Sequence, residues 1–94
     1  MEASNLNLEA LTSLLLEEVR ARGLAANSVV CHRTVCNAVL AFAESLGEDE
    51  WSDSLAERYL EQVDRSYEDP RYRLHHRRVI RLLKSLADTG EVDF

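Results

Sequence analysis

Apolar residues recur along this chain every three or four positions, in stretches bounded by small polar capping residues and by glycines. That period belongs to helices with one buried face. Leu8, Leu11, Leu15 and Val19 make the first stripe, in a helix predicted over about 8–22 with Asn7 as its N-cap. Gly23 supplies a left-handed residue to end it, and Leu24 the hydrophobic follower. A second helix is predicted over about 28–45, capped by Asn27 and ended by Gly47. Val29, Cys36, Val39, Leu40 and Ala43 share its inner face, with Phe42 and Leu46 at the edge. Its outer face holds Val30, Arg33, Thr34, Asn37, Ala38 and Ala41, less charge than a solvated face ordinarily carries, which leaves room for a packing partner.

The third stripe is shorter. Leu55, Tyr59 (with Ala56) and Val63 face inward on a helix predicted over about 53–63, started either by Ser52 or by a Ser54/Glu57 capping box. The fourth helix, about 70–89, has Asp69 as its cap and Pro70 in its first turn, where a missing N–H costs nothing. Tyr72, Val79, Leu83 and Leu86 form its expected inner stripe, helped by Leu82. Gly90 ends it, and Glu91–Phe94 reads as an extended tail. No stretch alternates with the period of a strand. The expected fold is all-α, a compact four-helix bundle in one domain spanning 1–94.

Composition agrees with that picture. Three Gly and one Pro in 94 residues leave few turns for a many-stranded sheet, and no apolar run approaches the roughly 20 residues that cross a bilayer. The N-terminus lacks the basic start and apolar run of a secretory leader, so a cytoplasmic location away from membranes is expected. Cys31 and Cys36 lie five residues apart on one helix, roughly 140° round it, so that helix cannot join them in a disulfide or a shared metal site. They read as small hydrophobes, reduced and without metal.

Charge changes the picture. The net charge of −6 opposes a strong nonspecific grip on nucleic acid, but its distribution is uneven. Glu44 to Asp69 carries ten acids against Arg58 and Arg65 alone; Arg71 to Lys84 carries six bases, two histidines and no acid. On a helical wheel Arg73, Arg77, Arg81 and Lys84 fall within about 80°, flanked by Arg71 and Arg78. Guanidinium groups one turn apart can follow phosphates along a groove edge, and Arg can also read guanine. The plainer reading is a solvated face that pairs with the acidic segment of the same domain. His75 and His76 point about 100° apart and so do not share a metal position, and His32 falls at the edge of the core. No Gly-rich phosphate loop or paired nucleophile and base stands out, so neither catalysis nor a cofactor is expected.

Taken in order, these segments resemble a known family. Arg22-Gly23-Leu24-Ala25-Ala26-Asn27-Ser28-Val29 looks like the first turn of the core-binding domain of tyrosine recombinases (phage-type integrases), and His32-Arg33-Thr34 stands where the family has Tyr-Arg-Arg. Trp51 to Leu60 resembles its short third helix. Arg77 to Leu83 with Thr89 to Phe94 resembles its last helix and the exit toward the catalytic domain. The likeness covers nearly the whole chain.

The resemblance implies a SAM-like bundle that closes over one face of a recombination site, with helices 2 and 4 toward the major groove. It implies double-stranded DNA as partner, together with a catalytic domain in the same parent chain and neighbouring recombinase protomers. The isolated domain is expected to be a monomer, excised from a longer protein at the point where the family's linker begins. Carried over, the DNA-contacting candidates are Asn27, Ser28 and Arg33 on helix 2, and Arg73, Arg77, Arg81 and Lys84 on helix 4, with Arg71 and Arg78 beside them. Val30, Thr34, Asn37 and Ala38 depart from the pattern, for the family often has bases there. Tyr59, Tyr67 and Tyr72 do not stand in for the nucleophilic tyrosine of the missing domain. The alternative is a helical protein–protein interaction domain with the same fold and little DNA binding, which the net charge and the uncharged outer face of helix 2 favour.

Overall fold

The ends of most of the helices are set by residues close by in the chain. In a computed structural model, which describes residues 7–92, four of them follow in order: α1 (Leu8–Ala21), α2 (Ala26–Ser45), α3 (Asp53–Ser66) and α4 (Pro70–Thr89). Three begin as their sequences require. The Asn7 side chain accepts from the Ala10 N–H, Ser52 from the Leu55 N–H and Asp69 from the Arg71 N–H, each satisfying a backbone donor that the first turn leaves unpaired. Gly90, at φ 79°, ends α4 in the left-handed conformation that only glycine adopts cheaply.

The start of α2 differs from expectation. Asn27 does not cap it; the helix opens at Ala26, two residues before the expected start at 28, and Ala25 stands at the cap with no side-chain hydrogen bond. The Ser28 and Val29 N–H groups both donate to the Ala25 carbonyl, which closes the first turn before Asn27 can act. The second difference is the length of α3, which runs to Ser66. Its last turn is held by the Tyr67 N–H on the Val63 carbonyl and by the Tyr67 ring against His76, with centroids 4.9 Å apart.

The four apolar stripes meet in one core. Leu8, Leu11, Leu15 and Val19 from α1 pack with Val35, Cys36 and Val39 from α2, Leu55 and Val63 from α3, and Val79, Leu82 and Leu83 from α4. Burying a side chain of this size stabilises the fold by about 1.5–3 kcal/mol before entropy is charged against it. Tyr72 is a correction: the wheel places it on the inner stripe, yet it is 58% exposed. Buried positions on α4 begin only at His76, so the first turn stands clear of the core and Tyr72 lies against Tyr67 instead. The end of the chain is a further correction. After Gly90 it folds back, with the Glu91 carbonyl accepting from Ser85 Oγ (2.9 Å) and Thr89 Oγ1 (3.2 Å), so Val92 is buried. The rest of the expected tail, Asp93 and Phe94, lies outside the described residues.

Among the described residues there is no strand, only an isolated bridge between Asn7 and Glu50; the Leu8 N–H donates to the Asp49 carbonyl there and ties the start of α1 to the α2–α3 loop. No described helix is long and apolar enough to cross a membrane. Cys31 is exposed, whereas Cys36 is buried, and burial pushes its thiol up to about 12.

Candidate nucleic-acid interface

Helix α4 carries the bases, and its core stripe divides them into two flanks. Arg73, Arg77 and Lys84 fall on the side toward α3, His75 and Arg78 on the side toward α2, and Arg81 on the exposed outer face.

On the α3 flank Arg77 and Lys84 are paired with carboxylates. Arg77 Nη2 donates to both carboxylate oxygens of Asp64 at 2.6 Å. Lys84 Nζ lies 3.2 Å from Asp53 and 3.1 Å from Asp88, and these bonds, Asp88's first, raise its pKa. Arg73 donates to the Glu68 carbonyl at 3.2 Å. Near the helix start Arg71 pairs with the capping Asp69, whose carboxyl is held below its usual range by the Arg71 side chain and N–H. These pairs are solvent-exposed, so water and salt screen them and they add little to stability.

The α2 flank is different. Arg22, Leu24, Ser28, His32, His75 and Arg78 line a cleft of about 390 Å³, and none of them is acidic. Arg78 is exposed and makes no ion pair among the described residues. His32 is only 5% exposed; its Nδ1 lies 2.7 Å from the Ser28 carbonyl, to which it donates. His75 stands edge-on to it, ring centroids 5.6 Å apart. The Nε2 atoms of both rings are buried without a hydrogen-bond partner, an arrangement that costs free energy unless something else satisfies them. The first turn of α2, to which Ser28 belongs, has no side-chain cap and no acid, so the positive end of the helix dipole there is uncompensated by a carboxylate of its own.

His76, one residue on, belongs to the core. Its Nδ1 is hydrogen-bonded to the Tyr59 hydroxyl at 2.8 Å, and the Tyr59 ring meets Phe42 edge-on. Burial, then the neighbouring His75, lowers the His76 pKa; burial first of all raises that of Tyr59.

Of the sequence-derived candidates, the fold brings Ser28 and Arg78 together. Asn27 is exposed in the first turn of α2, and Arg33 is exposed about 140° round that helix from Ser28, away from α4. Arg71, Arg73, Arg77 and Lys84 lie elsewhere, mostly against acids. Arg22, His32 and His75 were not among the candidates. The signal for His32 was its position one turn after Ser28; nothing local marked its meeting with His75, 43 residues away.

No protein-family model, curated protein or solved structure matches the chain.

Proposed function

We propose that this chain is a duplex-DNA-binding module of the kind that tyrosine recombinases carry ahead of their catalytic domain. In this reading it acts in the cytoplasm, lays the start of α2 and the α2-facing flank of α4 against the sugar–phosphate backbone, and itself cuts nothing. A catalytic domain of the same parent chain and neighbouring protomers on the DNA would complete the assembly. The observation that carries the reading is the acid-free cationic cleft between α2 and α4, on a chain whose net charge is −6. A base-lined cleft at a helix N-terminus suits a phosphate, and phosphate contacts position a protein on duplex DNA.

The test is titration of duplex DNA across salt concentrations. With Arg77 and Lys84 engaged by carboxylates, about two or three phosphates are contacted, so log K should fall against log[salt] with a slope of roughly −2 to −3. No binding at low ionic strength would overturn the reading. A protein-interaction domain is favoured instead by those same ion pairs and by exposed apolar side chains, Leu74 at 69% and Val30 at 54%. An apolar interface would be insensitive to salt.

A further inference from the structure

We propose that the α2–α4 cleft is a seat for a single phosphate group, held by Arg78 and the His32–His75 pair, and that the pair takes up a proton as the anion lodges. The inference rests on the DNA-binding reading and identifies the group as one phosphodiester of the duplex backbone.

Two observations point to it independently. The first is charge: Arg78 on α4 borders a space whose lining residues include no acid, beside the start of α2, which has no side-chain cap. The second is the unsatisfied chemistry of the histidines. Because His32 Nδ1 donates to the Ser28 carbonyl, its neutral ring presents a bare lone pair at the buried Nε2. No donor reaches that atom, and none reaches His75 Nε2. A proton from solvent converts one of these nitrogens into a donor, and an anionic oxygen in the cleft is the acceptor that donor then needs. Two positive rings 5.6 Å apart repel, so one proton is taken up ahead of a second. The charged or titratable groups that share the cleft with the pair are Arg22, which follows α1, and Arg78 from α4, with His76 beside His75 at 6.4 Å and itself bonded to Tyr59 of α3. A phosphate in the cleft would supply both the acceptor and the opposite charge that favour a proton on the pair.

The experiment measures full-chain affinity for a fluorescent duplex at constant ionic strength, at pH about 6 and about 8, where imidazole exchanges its proton. Affinity should be on the order of tenfold weaker at the higher pH, the effect of one linked proton. His32→Gln and His75→Gln should each flatten that dependence, while Arg78→Gln, at an exposed site that spares the fold, should weaken binding at both pH values and keep the slope. DNA binding with a flat profile in the unaltered chain, or an unchanged slope in both histidine variants, would overturn the seat and leave the DNA reading standing. If no DNA binds at either pH, the DNA reading fails. Inorganic phosphate then decides the seat: shifted NMR resonances of Ser28, His32, His75 and Arg78 would sustain it, and unmoved ones would overturn it.

Discussion

The two flanks of α4 carry similar side chains and have different electrostatic fates. Toward α3, Arg77 and Lys84 lie within hydrogen-bonding distance of Asp64 and Asp53. Toward α2, Arg78 and His75 meet Ser28 and another histidine. The basic run is continuous in sequence, yet one half is neutralised inside the domain and the other is left to attract anions. A count of basic residues on a helix therefore overstates its capacity for nucleic acid when an acidic helix packs alongside. Neighbouring histidines sort the same way: His75 edges the cleft, while His76 bonds to Tyr59 beneath the α3 flank.

The largest effect should come from the core beneath the cleft. Leu82 is fully buried on the α2 side of α4, so Leu82→Ala should cost about 2–5 kcal/mol in denaturant unfolding and loosen the cleft with it. A loss below about 1 kcal/mol would mean the cleft does not rest on that packing.

Next is the contrast between neighbouring arginines. Arg78→Glu should weaken DNA binding about tenfold or more, since it adds repulsion to the loss of attraction, whereas Arg77→Ala should cost about threefold or less. Equal losses in anisotropy titrations would make the attraction diffuse and erase the distinction between the flanks.

A smaller effect concerns acid. Because the His76 pKa is lowered in the fold, the unfolded chain binds the proton more readily, so stability is complete above about pH 6.5 and declines as pH falls below it. Asp69, whose carboxyl is also lowered, adds a loss in the same direction only at pH values below about 4. Thermal melts should show the first decline in the unaltered chain and its absence in His76→Gln; persistence there would assign it to another group.

The smallest change is on the paired flank. Asp64→Asn with Asp53→Asn releases Arg77, leaves Lys84 with Asp88 alone and brings the net charge from −6 to −4. DNA affinity should rise a few-fold, with the thermal midpoint little changed, because exposed pairs add little to stability. Unchanged affinity would show that this flank faces away from the duplex.

Much of the fold was legible because its signals are short-range. Asn7, Ser52, Asp69 and Gly90 act on backbone groups within a few residues, so their positions could be read directly. Asn27 misled because a capping residue type was taken for a cap, when the Ala25 carbonyl had already closed the turn. Tyr72 misled because a wheel gives direction without giving depth: at that turn of α4 its neighbour is Tyr67 and it stays exposed. The candidate site was less legible. Ser28 and Arg78 could be named from charge and position, but a wheel cannot show that His32 and His75 meet edge to edge.

What this sequence determines by itself is four amphipathic helices, most of their ends and an uneven distribution of charge, since each depends on spacing along one segment. Only the tertiary structure decides which arginines meet carboxylates, which histidine is core and which faces the cleft, and that Val92 returns to the interior. Those outcomes depend on which helix lies beside which flank of α4. Coulomb attraction and desolvation act over a few ångströms of space, whatever the number of residues between the partners.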